Sequence, residues 1–572
     1  MKGRGRAHPS IRAMPLILPP DVLAQFGIRF LRPTQQRAID ALSDGRDVLV
    51  VLPTGGGKSL CYQLPAVCGL APAIVVSPLV ALMKDQVDAL HRRGVPAAQL
   101  SSAVTPTERE RTWAGLEAGD VALVYIAPEA LGVPKTLARL AALRPRYLAV
   151  DEAHCISEWG ESFRPAYLTL GAVRRSLGDP PTIALTATAT PRTRRDIVDR
   201  LALRDPLTLL AGFDRPNLQL ESEAVIDERQ RLTRLTNGAR AAPGPAVFYA
   251  PTRRETERLA ATFRRSGLRA AAYHAGLPLS DRSRAQDEFL ENRLAVIVAT
   301  NAFGMGVDKP DVRLVMHAAP PLTLEAYYQE AGRGGRDGAL ARCVVLRSPS
   351  DLERSRQRLA NASVTTANLQ RLAHLLVPSQ RLESDTVRSQ ARLAWALGIT
   401  EPSLATAVRL LVEEGLMVAA PRDTGQLRIL VSDERLARDC SIACDDAAFV
   451  RRLLTTHGPL ARSGLTLTYR QLAESAAGDA PERILARLAA QQVAVWTLPS
   501  FAWRVCRTPT PHEADALVRR HHIRTERNRW RFEQVANFVT TSRCRRAVLL
   551  RYFGDAQTSV SCRSCDNCLA PR

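Results

Sequence analysis

The chain has 572 residues, 46% hydrophobic and 24% charged, which is the make-up of a folded protein of several domains and excludes a wholly disordered one. No apolar run approaches the ~20 residues that cross a bilayer, and the basic N-terminus lacks the apolar stretch of a secretion signal, so neither a membrane protein nor a secreted one is expected. Lys+Arg number 78 against 57 Asp+Glu, only five of the basic residues being lysine, and the net charge of +21 favours a polyanion such as nucleic acid as partner.

Residues 1–20 read as a flexible basic tail. From 21 to 345, apolar runs bounded by Gly, Pro or Asp alternate with helical patterns. The runs are Asp47–Leu52, Ala73–Ser77, Val121–Tyr125, Tyr147–Val150 and Thr182–Leu185, then Ala246–Tyr249, Ala295–Ala299 and Leu314–Met316. Between the two series lies a break at 211–245 that contains Ala241–Pro245, the expected inter-domain joint. Such runs suit parallel strands covered on both faces, so two doubly wound α/β layers are predicted, 21–210 and 211–345.

Beyond 345 the texture turns helical and rich in Arg, Ala and Leu. Residues 346–384 read as the start of a helical hairpin and a linker. Residues 385–432 predict helix, turn, helix and a hairpin of Met417-Val418 with Leu427–Val431. Residues 447–507 repeat this outline, with helices at Phe449–Thr456, Tyr469–Ala476 and Pro481–Gln491 and a hairpin of Val493–Trp496 with Ala502–Val505. Both outlines are winged-helix-like; a generic helical insertion is the alternative. Residues 510–572 complete the chain as a small metal-binding domain.

Strand 47–52 runs into Pro53-Thr54-Gly55-Gly56-Gly57-Lys58-Ser59 and then a helical segment. Successive glycines let backbone N–H groups face a phosphate, and the helix N-terminus adds positive charge. Lys58 is expected on the β- and γ-phosphates and the Ser59 hydroxyl on Mg²⁺. Leu52 stands where the strict phosphate-loop pattern has its first glycine, so the strand–loop–helix context carries the specificity. The apolar strand end at Val150 is followed by Asp151-Glu152-Ala153-His154. Asp151 is placed to hold Mg²⁺ through water, and Glu152 to orient or deprotonate an attacking water. The two motifs together predict nucleoside-triphosphate hydrolysis. Further on, Arg333 and Arg336 lie three residues apart, so both can face one cleft and stabilise charge on a transferring phosphoryl group.

Seven of the 11 cysteines are scattered, whereas Cys562, Cys565 and Cys568 are spaced by two residues and Cys544 lies 17 intervening residues upstream. Four thiolates fill a tetrahedral Zn²⁺ shell, which predicts a structural site in a reducing compartment. After DEAH, Trp159 and Phe163 stand among Gly160, Glu161, Ser162 and Arg164. That setting suits a surface loop in which aromatics stack on bases and Arg164 meets phosphate; a core role for the two rings is the alternative.

These motifs resemble those of RecQ-type DNA helicases of helicase superfamily 2 over nearly all of 21–345 and again at the C-terminal end. Phe30-Leu-Arg-Pro-Thr-Gln35 is similar to the family's adenine-recognition motif, which implies Arg32 and Gln35 at the base. Ser77-Pro-Leu with Met83–Gln86, and Leu185–Thr190, resemble the motifs for DNA contact and coupling. Tyr273–Gly276, Ala299–Pro310 and Gln329–Gly338 complete the set, implying roles for Asp308 in nucleotide binding, for Gln329 and Arg333 in catalysis, and for Arg336 as the arginine finger. The stretch after DEAH resembles the aromatic-rich loop that couples DNA binding to hydrolysis, with Glu161 and Ser162 where the family commonly has His and Asp.

The resemblance implies two RecA-like motor domains, ATP, Mg²⁺ and Zn²⁺ as cofactors, 3′-to-5′ unwinding in DNA repair or recombination, and a cytoplasmic place at the nucleoid. Its implied partners are single- and double-stranded DNA and a single-stranded-DNA-binding protein. In the family the zinc module precedes the winged helix; here the cysteines follow it, so 361–510 reads as an insertion in the helical hairpin of Ser348–Ala360 and Glu513–Ser542. An RNA helicase, a DNA-binding regulator with a vestigial motor and a translocase that does not separate strands are the competing readings.

Overall fold

The computed structural model describes residue 16 and residues 18–53, 55–101, 104–157, 164–303, 309–360, 364–376, 390–419, 424–432, 444–458, 465–476, 481–491, 493–497, 503–555 and 561–569. Thr54, Trp159, Phe163 and Asp308, and all of the expected tail up to Pro15, lie outside the described residues. Within the stretch expected as tail, Leu16 and Leu18 pack against the first core, and Pro20 begins the helix Pro20–Gln25. The chain forms two compact units, 1–355 with 530–572, and 356–529.

The first unit holds two wholly parallel sheets. In the first, β1 (Val48–Val51), β2 (Ala73–Val76), β3 (Ala97–Leu100), β4 (Leu123–Ile126), β5 (Tyr147–Val150), β6 (Thr182–Thr186) and β7 (Leu207–Leu210) lie in the order β3-β4-β2-β5-β6-β1-β7. Every residue of β1, β2, β4, β5 and β6 is buried, because helices cover both faces. The second sheet contains β8 (Leu218–Ala224), β9 (Ala246–Tyr249), β10 (Ala270–Tyr273), β11 (Val296–Ala299), β12 (Leu314–His317) and β13 (Ala341–Arg347), ordered β10-β11-β9-β12-β13-β8.

The chain passes from one sheet to the other between Leu210 and Leu218. Ala241–Pro245 is therefore not the joint; it links the helix Glu228–Ala241 to β9 inside the second sheet's layer. In both sheets the phosphate loop, DEAH and the segments after β9, β11 and β12 lie at the C-terminal ends of strands, where parallel sheets place their ligands.

In the second unit, helices Thr366–Leu376, Gln390–Leu397 and Glu401–Glu413 share a core with Met417, Val505 and Leu517. A second core gathers Leu427, Ile429, Phe449, Leu453, Leu472, Leu488 and Val493. The two hairpins expected from the sequence are not formed. Strand β14 (Met417–Ala419) pairs antiparallel with β18 (Trp503–Val505), Met417 opposite Val505. Strand β15 (Thr424–Ile429) pairs with β16 (Leu465–Thr468) and with β17 (Ala494–Thr497). The second body is thus inserted between the paired strands of the first. The cause is burial: Met417 and Val505 complete one core, Leu427 and Ala494 the other, and each strand pairs where its apolar face is covered.

The helix Pro511–Thr540 leads to Arg545–Tyr552 and Asp566–Leu569. Among the described residues no helix is long and apolar enough to cross a membrane.

Candidate active site

The loop after β1 is shaped by glycine and by Gln35. Gly55 (φ +77°) and Gly57 (φ +71°) adopt left-handed backbone, and a Cβ on Gly57 would stand 2.6 Å from Gln35 Nε2. Gln35 is 4% exposed; its Nε2 donates to the carbonyls of Gly56 (3.0 Å) and Gly57 (3.2 Å), and its Oε1 accepts from Arg32 N (2.8 Å). Gln35 therefore splints the loop from beneath, with both ends of its amide engaged by the protein, while the Arg32 side chain is exposed beside it. Lys58 and Ser59 open the helix Leu60–Val67.

DEAH follows β5 directly. Asp151 is 7% exposed; its N–H donates to Val76 O (2.9 Å), and its backbone carbonyl accepts from Tyr167 Oη (3.1 Å). Glu152 is held in left-handed backbone at φ 47° and ψ 46°, a strained conformation for a residue with a Cβ. His154 Nδ1 lies 3.3 Å from Glu152 Oε2 and 2.9 Å from Thr186 Oγ1 on β6. Burial, and then the Glu152 charge, push the Asp151 carboxyl up to about 7. Burial alone would raise Glu152 too, but Lys58, His154 and Arg333 hold it at about 2. Two carboxylates so close beside one lysine form a site that favours a cation, as Mg²⁺ on a phosphate chain requires.

The second sheet's arginines reach this cluster. The helix Leu324–Ala331 is capped by Thr323, whose hydroxyl accepts from Ala326 N at 3.1 Å, and it ends at Gly332. Arg333, 7% exposed, donates from Nε to Tyr249 Oη (2.9 Å), which in turn donates to Phe303 O (3.0 Å). The Arg336 side chain lies over Gly55 of the phosphate loop. Gln329 Nε2 donates to Thr188 Oγ1 at 3.1 Å, a direct bond between the two layers. The turn carrying the arginines is fixed by Arg215, which donates to the carbonyls of Gly334 and Gly335 at 3.0 Å, and by Asn217, which donates to those of Gly335 (2.7 Å) and Ala339 (2.8 Å).

The structure thus links Lys58, Asp151, Glu152 and Arg333 electrostatically, sets Arg336 over Gly55 and bonds Gln329 to Thr188. Sequence reasoning missed Tyr249, Arg215 and Asn217. The only available signal was the Arg-Pro-Asn stretch between the sheets. Two residues expected at DNA have these surroundings. Ser77 directly follows β2 and is 1% exposed, with its N–H on Ile126 O (3.1 Å). Arg164 is half-buried, its N–H on Cys155 O (3.0 Å) and its guanidinium 4.0 Å from Glu129.

The Sγ atoms of Cys544, Cys562, Cys565 and Cys568 all lie within 4.8 Å of one another. Four thiolates about 2.3 Å from one Zn²⁺ stand roughly 3.8 Å apart, so the cluster fits the ion with small adjustments. Arg545 donates to Asp566 Oδ1 (2.6 Å) and Phe538 O (2.6 Å). Arg546 reaches Asp214 (2.5 Å) and Leu218 O (2.7 Å), tying the cysteine segment to the start of the second sheet.

The DEAD/DEAH box helicase family profile matches residues 32–197, the helicase conserved C-terminal domain profile 227–338 and the RecQ zinc-binding profile 513–569. A probable ATP-dependent DNA helicase RecS of Bacillus subtilis is 37% identical over 432 residues, covering 75% of this chain and 86% of that protein. The ATP-dependent DNA helicase RecQ of Pasteurella multocida is 42% identical over 332 residues, 58% of this chain and 52% of that protein, so the chain spans only about half of that longer relative. In fold it is similar to the DUF1998 helicase MrfA, solved bound to DNA and AMPPNP, with a TM-score of 0.50, 19% identity, and 59% of this chain and 51% of that one covered.

Proposed function

Since the chain belongs to the RecQ/RecS family of ATP-dependent DNA helicases, we propose that it couples ATP hydrolysis to 3′-to-5′ movement along one DNA strand and to separation of the duplex ahead of it. The observation that carries this reading is Arg336 over Gly55: a second-layer arginine completes a first-layer phosphate site, so hydrolysis depends on closure between the layers, as a motor requires.

In this reading Thr54, Gly55, Gly56, Gly57, Lys58 and Ser59 cradle the phosphates, Arg32 and Gln35 lie at the adenine, with Gln35 also bracing the loop, and Asp308 contacts the nucleotide. Ser59 and Asp151 hold Mg²⁺, which when bound offsets charge on the phosphate oxygens. Glu152 orients or deprotonates the attacking water, and Arg333 and Arg336 meet the charge that develops on the transferring group. Cys544, Cys562, Cys565 and Cys568 hold Zn²⁺ as a fold-stabilising ion. Trp159 and Phe163 stack on bases and Arg164 lies beside a phosphate.

The partners are single- and double-stranded DNA, attracted by the net charge of +21, with a single-stranded-DNA-binding protein on the released strand. The setting is the cytoplasm at the nucleoid, in repair or recombination. Strand displacement on 3′-tailed, 5′-tailed and blunt DNA, with an RNA control, tests the reading. Displacement of the 3′-tailed substrate is expected; DNA-stimulated hydrolysis without displacement would make the protein a translocase, and preference for RNA would overturn the assignment.

A further inference from the structure

A cavity of about 410 Å³ opens where the helix Pro191–Arg200 of the first layer, the helix Leu324–Ala331 of the second and the zinc-binding segment meet. None of the groups assigned above to hydrolysis lines it. Its buried wall is built from charge pairs. Glu325 accepts a hydrogen bond from Tyr552 Oη at 2.9 Å and lies 3.3 Å from the Arg531 guanidinium, and Glu325 and Arg531 are 3% and 4% exposed. Trp530 stacks on Tyr552, ring centroids 6.2 Å apart and planes inclined by 25°, yet it remains 50% exposed.

Arg192 and Arg195, both exposed, stand three residues apart at the N-terminal end of their helix, where the backbone dipole adds positive charge. Arg531 offsets the Glu325 carboxylate, so the lining is positive overall. A half-exposed aromatic ring beside guanidinium groups suits a base by stacking and a phosphate by charge. The volume lies within the 300–1,000 Å³ usual for small-ligand sites. That is room for one nucleotide, not for a duplex.

We propose that this cavity binds one nucleotide unit of a DNA strand, its base on Trp530 and its phosphate on Arg192 and Arg195. The proposal rests on the helicase reading above and extends it to a site outside the motor motifs. It also gives that site a consequence. Thr190 lines the cavity two residues from Thr188, which takes the Gln329 bond between the layers. Asp196, on the same helix, accepts from Ser157 at the end of the DEAH segment. A nucleotide that joins the first-layer helix to the zinc-binding segment, which Arg546 ties to Asp214 and to Leu218 at the start of the second sheet, therefore favours the closed arrangement that brings Arg336 to the phosphate loop.

The same chemistry would suit a free nucleotide, so the test separates the two sources. The full-length, zinc-loaded protein and its variants Trp530→Ala, Trp530→Phe and Arg192→Gln/Arg195→Gln are titrated with labelled oligo-dT, with an abasic strand of equal length and with free dTMP. DNA-stimulated ATPase, zinc content and melting temperature are measured alongside. Trp530→Ala is expected to bind oligo-dT about tenfold more weakly and the abasic strand as the unaltered protein does, with Trp530→Phe restoring most of the difference. Arg192→Gln/Arg195→Gln is expected to weaken both strands and flatten the salt dependence; lying at exposed positions, it decides alone if truncating Trp530 unfolds the segment. Equal oligo-dT affinity in the unaltered protein, Trp530→Ala and Arg192→Gln/Arg195→Gln overturns the proposal, as does an equal loss by Trp530→Ala on the abasic strand. Trp530-dependent fluorescence quenching by dTMP but not by oligo-dT also overturns it and assigns the cavity to free nucleotides. An unaltered protein whose ATPase is not stimulated by DNA overturns the helicase reading instead.

Discussion

The side chain of Arg336 lies against Gly55: a Cβ placed on that glycine would stand 3.6 Å from both Cγ and Cδ of the arginine. The contact joins the second layer to the phosphate loop of the first, and Gly55 leaves room for it. Arg336→Gln should lower kcat for ATP about 10³-fold or more, with a much smaller change in KM, because an arginine finger acts on charge that develops only in the transition state. Arg336→Lys should recover little, since an ammonium cannot reproduce the planar fork. Steady-state ATPase in the presence of single-stranded DNA measures this; a loss confined to KM would make Arg336 a binding residue only.

Lys58→Ala should abolish most ATP hydrolysis while leaving DNA affinity largely intact. In the proposed site the lysine serves the phosphates, and its charge also bears on the Asp151–Glu152 pair, whereas the net charge of +21 is expected to serve the DNA. Turnover near the unaltered rate would show that the phosphate-loop assignment is wrong.

Tyr249→Phe should act through Arg333. The hydroxyl accepts from Arg333 Nε and donates to Phe303 O, so it holds the arginine whose charge bears on Glu152. Its removal strips a buried guanidinium of one partner, at a cost of about 1–3 kcal/mol. The expected result is a kcat reduced about tenfold with KM for ATP little changed. A fall in melting temperature with unchanged kcat per folded molecule would make Tyr249 a packing residue.

Strands beside the proposed nucleotide site were legible because both faces of each are covered, which leaves continuous apolar runs such as Val48–Val51 and Tyr147–Val150. Strand β10 is Ala270-Ala-Ala-Tyr273 and β8 alternates as Leu-Gln-Leu-Glu, so neither shows such a run. Pairing in the second unit was illegible for another reason. Four short strands with similar apolar content can join as two local hairpins or as two exchanged pairs, and only the two separate cores choose between them. The cysteine spacing and DEAH were readable because their chemistry fixes the spacing. The work of Gln35, Tyr249 and Arg215 was not, since each acts on a segment far away in the chain.

Deleting 361–510 with a short linker should leave DNA-stimulated ATPase in place while reducing duplex affinity or unwinding. Every residue placed around the phosphates belongs to the unit formed by 1–355 and 530–572, and so do all four cysteines. Loss of ATPase in a product that still melts cooperatively would show that the inserted bodies are part of the engine.

Removing zinc should loosen more than the C-terminal segment. Cys544 stands at the start of the helix Arg545–Tyr552, whose Arg546 is bonded to Asp214 and to the carbonyl of Leu218 at the head of β8. Just beyond it, Phe553 stacks on Phe213 at 4.7 Å with the rings inclined by 12°, and Asp555 accepts from Phe213 N at 3.0 Å. The four thiolates thus anchor contacts made on the stretch that carries the chain from one sheet to the other. Zinc bound by folded thiolates contributes its binding free energy directly to folding. Chelation, or Cys565→Ser, should therefore lower the melting temperature and also the DNA stimulation of ATPase, because Arg215 on the same stretch holds the Arg333–Arg336 turn. Fresh protein should contain about one zinc per chain by atomic absorption. A content near zero in fully active protein would remove the ion from the account, and a lower melting temperature with full stimulation would confine its effect to the C-terminal segment.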